Sequence, residues 1–525
     1  MSAAAVVVRR VTLPDESAQV SVVKTLPTPL SDSAASTPRT SSTLQDHAAG
    51  FLAWLTKLRA TYGAQFLVLI CMVYFVQGFG SFSSLAVSFL MKDTMGLEPA
   101  RSQAILATAA FPWSIKPLFG ILSDSLPLCG FRRKSYLVLI NLLGAVATFW
   151  LSGVTATTSP SFLTLLLLVT RLATAMSDVI VDALVVERAR LDPQNGANDL
   201  QSLTWTCMAL GGVIGSLLAG PATSHYGPPP VFVISAAAPL VVLALAWHMH
   251  EDRAASVPLA ACSSLAWHQI TLVRATLRVP VIWQSVVFMF AAQACTPVLD
   301  QIQFYYSVEV LHFSPEFLGN VAALGFVFLM VGTLVYNAWF KHVPFHAVFR
   351  RAQLCLAVVS LAELLLVTRA NLKLGISDGW FVLLESMFGE VVARLIGMPL
   401  LVLCAKLCPR GIEGTFFALL MANMNLSYAV SSYWGALLAD ALGIESEKYD
   451  LLWLAIVLRS VMMVVPLAFL WMLPNHDPAD EVEAATAAAM HTPVTDDEPR
   501  DGDEARVHES VQSGILGIKV ERSDV

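Results

Sequence analysis

The chain has 525 residues, of which 56% are hydrophobic and only 14% are Asp, Glu, Lys or Arg. Soluble globular proteins carry about 25% charged residues, so this composition excludes a soluble enzyme, a nucleic-acid-binding protein and a disulfide-rich scaffold. Residues 475–525 hold 13 acidic and 4 basic residues, a net charge of −9, so the rest of the chain sums to +2 within the total of −7.

Long apolar runs, of the length that crosses a bilayer, recur along the chain. We predict twelve membrane-spanning helices, at 65–91, 99–123, 136–157, 161–186, 200–222, 230–249, 282–308, 315–340, 347–368, 378–404, 415–440 and 450–473. Alternate loops hold 13 Lys and Arg residues, against 5 in the other set. By the positive-inside rule the basic loops are cytosolic, and an even number of spans places both termini there too.

The longest internal connection, 251–280, lies between the sixth and seventh spans. It predicts two six-helix halves, 61–250 and 281–474, joined by a cytosolic linker around a midplane site. Residues 1–60 are rich in Ser, Thr, Ala and Pro, and residues 475–525 are acidic without aromatics. Both tails are predicted to be disordered.

The second span carries a lysine, and a charge inside a span normally faces a cavity or a partner. Counted from Pro99, Lys116 lies about 25 Å deep, level with Asp178 of the fourth span. We therefore predict an ion pair between Lys116 and Asp178. Trp113 is a candidate to stack on a flat ring, with ordinary packing as the alternative.

The loop after the second span combines Gly120 and Asp124 with the basic residues Arg132 and Arg133. An Asp at the inner end of a helix, followed by basic residues, locks neighbouring helices together until that contact breaks. We predict that these four residues form a cytosolic gate. The alternative is that the basic residues only anchor the loop on the cytosolic side.

The fourth span carries Arg171, Asp178 and Asp182 at steps of seven and four residues. These steps place all three on one stripe of the helix, which faces the interior of the bundle rather than lipid. The stripe predicts a site that binds substrate or a proton. An internal ion-pair network is the alternative.

Ionisable residues also occur in the spans of the second half. Asp300 in the seventh span shares a face with Gln303 and Phe304, which suits a ring with N–H donors. In the tenth span Glu390 precedes Arg394 by four residues, the favourable order for an in-helix pair. The two residues either pair only with each other and need no ligand, or take part in substrate binding and proton coupling.

Glu363 in the ninth span and Arg459 in the twelfth are different, because both spans are peripheral in a six-plus-six arrangement. We predict that Glu363 and Arg459 form a structural ion pair with each other.

Several motifs, in order along the chain, resemble the folate–biopterin transporter family of the major facilitator superfamily. They are WSIKPLFGILSDS at 113–125, GFRRKSY at 130–136, SDVIVDALVVERAR at 177–190 and CPRGIEGT at 408–415. The resemblance covers the twelve-span region but neither tail, and three extra residues separate Asp124 from Gly130. It implies a major facilitator fold and a secondary transporter of folates or pterins, with proton coupling. It also implies that Lys116, Arg171, Asp178 and Asp182 lie in the central cavity.

Folate has a flat pterin, an aromatic linker and an anionic glutamate, and each part needs a different side chain. Arginine binds carboxylates bidentately, carboxylates accept hydrogen bonds from the pterin, and aromatic rings stack on it. The candidates are Arg171 and Arg394 for the carboxylates, Asp300 or Asp178 for the pterin, and Phe304, Tyr305 or Trp113 for stacking. Asp178 or Glu390 is the candidate to bind the coupling proton.

Two other functions stay open on the same fold. In the first, the transporter carries another organic anion or a nucleoside-like metabolite. In the second, more remote one, the chain is a sensor or scaffold that transports nothing. No phosphate loop, metal-ligand spacing or nucleophile–base signature points to an enzyme, a metal or a cofactor. The expected partners are a small-molecule substrate, a proton and the lipid bilayer, with no nucleic acid. We expect the plasma membrane, with a plastid or internal membrane as alternatives.

Overall fold

A computed structural model describes residues 44–474, apart from 193–194, 254–270, 272, 342 and 409–412, together with 478 and 482. Within these residues the only β-structure consists of two isolated β-bridges, Leu128–Phe131 and Glu445–Lys448. The predicted all-α class is therefore confirmed. The predicted disorder of residues 1–43 and of the acidic tail lies outside the described residues.

The first helix, α1 (Leu44–Tyr62), corrects the prediction that residues 1–60 are disordered throughout. Its last turns bury Leu58 and Tyr62, and Lys57 forms ion pairs with Asp192 at 2.9 Å and Asp199 at 3.3 Å. The composition of the whole segment concealed an amphipathic stretch at its end. Residues 1–55 form one compact unit and residues 56–525 another, and the second contains all the helices that follow.

The helices of the first half follow the six predicted spans. They are α2 (Ala64–Phe79), α3 (Ser81–Phe89), α4 (Pro99–Ala109), α5 (Lys116–Ser125), α6 (Lys134–Leu151), α7 (Pro160–Ala189), α8 (Gly196–Tyr226), α9 (Pro228–Ser235) and α10 (Ala237–His248). A π-helical turn, Leu90–Thr94, extends α3, and a 3₁₀ turn, Phe111–Ile115, joins α4 to α5. Pro117 lies in the first turn of α5, where its missing N–H has no helical partner to lose.

The second half contains α11 (Pro280–Ala294), α12 (Asp300–Glu309), α13 (Pro315–Val335), α14 (Phe345–Val367), α15 (Ala370–Lys373), α16 (Asp378–Lys406), α17 (Glu413–Ala441) and α18 (Leu452–Met462). A π-helical turn, Tyr336–Phe340, follows α13, and a 3₁₀ segment, Val465–Met472, follows α18.

The seventh predicted span is not the continuous helix expected at 282–308. It is broken between α11 and α12, where Pro297 removes a backbone donor. Ser431 of α17 satisfies the freed groups: its hydroxyl donates to the Thr296 carbonyl, and its carbonyl accepts from the Val298 amide at 3.1 Å. Backbone without helical hydrogen bonds is tolerated within a membrane only when it finds such partners.

Nine helical stretches of the described chain are long and apolar enough to cross a membrane, and they match predicted spans one to six, eight, ten and twelve. The other three predicted spans correspond to the broken α11–α12 pair, to α14 and to α17. The twelve-span count and the cytosolic location of both termini remain predictions.

The outer face of α6 shows the surface that lipid covers. Leu139, Leu142, Leu143, Val146 and Phe149 lie along this helix and are 44% to 52% exposed. A continuous apolar face of this kind is unfavourable in water and favourable in a bilayer.

Buried apolar residues cluster separately along the chain, one cluster within residues 82–232 and two that draw almost entirely on residues 279–482. Helices α8 and α13 pack closely across this division because small residues line their contact. A Cβ atom at Gly220 would lie 2.5 Å from the Cα of Glu316. Such close packing of small residues is typical of helix association in membranes.

Candidate functional site

The predicted ion pair between the second and fourth spans is present. Lys116 begins α5, and its Nζ lies 2.5 Å from Oδ2 of Asp178 on α7. Both side chains are buried, with residue exposures of 8% and 5%. The Lys116 ammonium also lies 5.2 Å from the centre of the Trp113 ring, a cation–π distance. Trp113 therefore packs on the lysine, and its stacking on a substrate stays a prediction.

A second carboxylate of α7 joins this pair. Asp182, one turn beyond Asp178, accepts a short hydrogen bond from the hydroxyl of Tyr74 on α2. Sequence analysis missed Tyr74, because a tyrosine in an apolar span resembles ordinary packing. Lys116, Asp178 and Asp182 carry one positive and two negative charges when all are ionised, so the cluster is neutral only with one added proton.

Arg171 lies apart from the two aspartates, although all three share α7. It lines a cavity of about 390 Å³ whose polar lining includes Gln77, Ser84, Ser88 and Ser216. Its side chain is exposed to this space, and none of the ion pairs between described side chains includes it. An unpaired guanidinium at a polar cavity favours binding of an anion.

Two residues of the second half, Asp300 and Tyr428, form a pair that is linked to this arginine through the tyrosine. The Tyr428 hydroxyl donates to Oδ2 of Asp300 at 2.8 Å, and Tyr428 interacts electrostatically with Arg171. Asp300 opens α12 directly after the broken segment and is exposed. Tyr428 was not predicted, although it lies in a part of α17 that also carries Asn425, Ser431 and Ser432.

The predicted stacking candidates of α12 are already packed against other rings. Phe304 contacts Phe89 edge to face at 5.0 Å between centroids. Tyr305 is fully buried, and its hydroxyl bonds to Ser102 and to the Leu97 carbonyl. The prediction that Tyr305 stacks on a substrate is therefore wrong, since no face of its ring is accessible.

Glu390 and Arg394 of α16 do not form the in-helix pair that their spacing favours, and no ion pair within 4.0 Å joins these two described side chains. Both are half-buried against α13. A Cβ atom at Gly332 would lie 2.8 Å from Cβ of Arg394, so the missing side chain of that glycine makes room for the arginine.

The basic loop before α6 is held by a carboxylate that sequence analysis assigned to the linker. Glu251 accepts hydrogen bonds from the backbone amides of Arg132 at 2.9 Å, Arg133 at 3.1 Å and Lys134 at 2.7 Å. An acceptor at this position caps the N-terminus of α6. A Cβ atom at Gly120 would lie 3.8 Å from Cγ1 of Val179, an ordinary van der Waals distance, and the side chain of Asp124 lies outside the described residues. The gate stays a prediction.

Near the N-terminal end of α4, five buried polar residues join the two halves of the chain. We call them the polar seal: Ser102, Gln103, Gln301, Tyr305 and Ser432. The Gln103 side chain donates to the Ser432 hydroxyl at 2.6 Å, and its oxygen accepts from the backbone amide of Gln301 at 2.8 Å. The Ser102 and Tyr305 hydroxyls lie 2.8 Å apart. The bundle is therefore closed at this level.

Just beyond the seal, Tyr449 donates to Glu309 at 2.6 Å, and Lys92 lies 3.5 Å from the same carboxylate. Burial, together with the hydrogen bond to Glu309, raises the pKa of Tyr449 well above its usual range. The phenol therefore stays a donor at neutral pH, and this cluster adds to the closure.

Comparisons with known proteins agree with this picture. The model of the BT1 family matches residues 77–492. The chain is 35% identical to the probable folate-biopterin transporter 4 of Arabidopsis thaliana, over 80% of this chain and 98% of that one. It is 38% identical to the folate-biopterin transporter of Synechocystis sp., over 78% and 82%.

Among solved structures, a D-xylose-proton symporter aligns with a TM-score of 0.59 at 15% identity, over 79% of this chain and 98% of that one. A mutant of the nucleoside transporter NupG aligns with a TM-score of 0.57 at 12% identity, over 78% and 100%. At these identities the likeness concerns the fold alone, and it confirms the predicted major facilitator type.

Proposed function

The chain belongs to the BT1 family and is an integral membrane transporter, and we propose that its cargo is a folate or a pterin, moved by alternating access and coupled to protons. The names of its relatives in Arabidopsis thaliana and Synechocystis sp. support this cargo. The observation that carries the proposal is the unpaired Arg171 at a polar cavity, together with Tyr428 of the other half, which interacts with this arginine and binds Asp300.

In this proposal the two ends of a folate bind to Arg171 and to Asp300. A guanidinium binds a carboxylate through two parallel hydrogen bonds, so Arg171 is the anchor for the glutamate part. Asp300, at an exposed helix start, is an acceptor for the N–H groups of a pterin ring. Tyr428 holds that carboxylate in place and lies between the two groups. Arg394 is a second candidate anchor, since it has no ion-pair partner among the described residues.

The coupling proton belongs, in this proposal, to the cluster of Lys116, Asp178 and Asp182. A buried cluster with one cation and two carboxylates is unfavourable unless it binds a proton, because uncompensated charge in a low dielectric is costly. Asp182 also bonds to α2 through Tyr74, so a change in its protonation acts on the contact between two helices.

Uptake of labelled folic acid and labelled biopterin into proteoliposomes, with and without a pH gradient, tests the proposal. Folic acid carries carboxylates and biopterin carries none, which makes the pair diagnostic for Arg171. We expect Arg171→Ala to weaken folic acid binding by about 1.5–3 kcal/mol, roughly 10- to 150-fold in KM, and to change biopterin uptake much less. Lys373→Ala, which removes an exposed cation elsewhere, is the matched control.

Two results would contradict the proposal in different ways. If neither compound is transported by reconstituted protein, while another organic anion is, the cargo is wrong and the transporter fold stands. If folic acid is transported equally well by wild type and Arg171→Ala, the cargo stands and the assignment of the carboxylate anchor is wrong.

A further inference from the structure

The second span is interrupted directly beside the lysine of the ionic cluster. The 3₁₀ turn Phe111–Ile115 separates α4 from α5, and Lys116 follows this turn. Because Pro117 has no N–H, the carbonyl of Trp113, four residues earlier, lacks the donor that a continuous α-helix would give it. Asn425 of α17 supplies a donor, since its side-chain amide bonds to the Trp113 carbonyl at 3.2 Å. A side chain of the second half therefore completes the backbone of the first half at this point.

Trp113 connects this hydrogen bond to the ionic cluster. Its carbonyl accepts from Asn425, and its ring lies 5.2 Å from the ammonium of Lys116. The same ammonium donates to Asp178 at 2.5 Å. Trp113 and Lys116 are only three residues apart along the chain, so a shift of the turn moves the ammonium relative to the carboxylate.

The same helix, α17, also completes the broken seventh span. Ser431 bonds to the backbone on both sides of Pro297, as a donor to the Thr296 carbonyl and as an acceptor from the Val298 amide. A Cβ atom at Gly435 would overlap the carbonyl of Val298, so α17 rests directly on this backbone. Two hydrogen bonds and a contact without room for a side chain make α17 and the break move together.

The break in the seventh span leads straight to the candidate substrate residue Asp300. This residue begins α12, three positions after Pro297, and accepts a hydrogen bond from Tyr428 of α17 at 2.8 Å. Asn425, Tyr428 and Ser431 follow one another at steps of three residues, which places neighbours on adjoining parts of the helix surface. One helix thus contacts the interruption beside Lys116 and the interruption before Asp300.

The contact between α17 and the ionic cluster does not depend on charge. Helix α5 packs on α7, which supplies the carboxylates Asp178 and Asp182, and on α17. Between Glu413 and Asp440, near its two ends, α17 has no Asp, Glu, Lys, Arg or His. A change in the charge of the cluster therefore acts on α17 through the position of the turn and its bond to Asn425.

We propose that Asn425 is a positioning residue that couples the Lys116–Asp178 pair to Asp300 through α17. This role rests on the proposed coupling of transport to protons. When the charge of the cluster changes, the attraction that holds Lys116 changes, and the turn at Trp113 shifts with it. Asn425 passes the shift to α17, and α17 carries it to the break that precedes Asp300.

Asn425→Leu removes the donor and keeps a side chain with the same branching, and Asn423→Leu is the matched control. Asn423 lies in the same helix but donates to the Val286 carbonyl of its own half at 3.1 Å. One coupled proton gives about a tenfold accumulation of folic acid in proteoliposomes for a pH difference of one unit. We expect Asn425→Leu to lose about that factor and to keep counterflow exchange, which needs no gradient. Asn423→Leu should keep both.

Pro117→Ala is a second variant that acts on the same bond from the other side. It returns an N–H that competes with Asn425 for the Trp113 carbonyl, so it should also lower pH-driven accumulation and spare counterflow.

A double-mutant cycle tests the physical link without transport. In thermal unfolding of purified protein, Lys116→Met should lower the unfolding temperature less in the Asn425→Leu background than in wild type, because the loosened turn already weakens the pair. In the Asn423→Leu background the effect of Lys116→Met should equal that in wild type.

The inference is wrong if Asn425→Leu accumulates folic acid as wild type does, or if it loses accumulation and counterflow together, which marks a purely structural role. It is also wrong if the effects of Asn425→Leu and Lys116→Met on the unfolding temperature simply add. If wild type itself shows no pH-driven accumulation, the proposed proton coupling fails and the coupling role of Asn425 fails with it. The double-mutant cycle then still decides whether Asn425 positions Lys116.

Discussion

Replacing Lys116 by methionine tests the ionic cluster of the first half most directly. The Lys116–Asp178 separation of 2.5 Å corresponds to an attraction of about 7 kcal/mol at an effective dielectric constant of about 20. Desolvation of the two buried ions offsets most of that gain, so the intact pair contributes little net stability. Removing only the lysine leaves Asp178 buried without a cation, and we expect a loss of about 3–5 kcal/mol.

The assay is thermal unfolding of detergent-purified protein, with wild type, Lys116→Met, Asp178→Leu and the double variant compared. The double variant has no unpaired charge at these positions, so it should recover much of what Lys116→Met loses. The reasoning is refuted if Lys116→Met unfolds at the wild-type temperature, or if the double variant is no more stable than the worse single variant.

Three further predictions concern packing and closure. Gly78→Ala should lower the free energy of unfolding by about 1–3 kcal/mol, because the added Cβ would overlap the backbone of α8. Gly389→Ala is the control: a Cβ atom there has nothing within 4 Å, so the free energy of unfolding should rise by up to about 1 kcal/mol. The close contact between α2 and α8 is contradicted if Gly78→Ala is as stable as Gly389→Ala. Gln103→Leu removes two hydrogen bonds of the polar seal, so a cysteine introduced by Ser88→Cys should react faster with a maleimide. An unchanged labelling rate would show that these bonds do not close the bundle. Glu251→Gln weakens the cap of α6 and should cost about 0.5–2 kcal/mol, measured by the same unfolding assay with Glu445→Gln as control.

The sequence predicts the charged pairs well, because charge inside an apolar run is a strong and local signal. Counting residues placed Lys116 and Asp178 at one depth, and the peripheral position of the ninth and twelfth spans joined Glu363 to Arg459. Both pairs are present. The all-α class follows from composition and run length alone.

Neutral polar partners are harder to predict, since Tyr, Gln and Ser occur in apolar runs for many reasons. Tyr74 and Gln103 therefore emerged only from the structure. The break in the seventh span depends on Ser431, far along the chain, which satisfies the backbone that Pro297 frees. Glu390 and Arg394 interact electrostatically but form no ion pair within 4.0 Å, since spacing along one helix does not fix the orientation of the two side chains.

The chemistry of the polar seal suits a closure that must open in each transport cycle. Its bonds, such as that between Gln103 and Ser432, are neutral and join the two halves. A neutral hydrogen bond has a net contribution of about 1 kcal/mol, since water replaces it on opening. The seal residues make five hydrogen bonds between the halves, including those to Ser88 and to the Leu97 carbonyl, so breaking them costs roughly 5 kcal/mol. Under the proposed coupling, a pH difference of one unit supplies about 1.4 kcal/mol per proton, so substrate binding must supply the larger part of the cost. Beside the seal, Lys92 of the first half lies 3.5 Å from Glu309 of the second, so an ion pair must also separate when this end of the bundle opens.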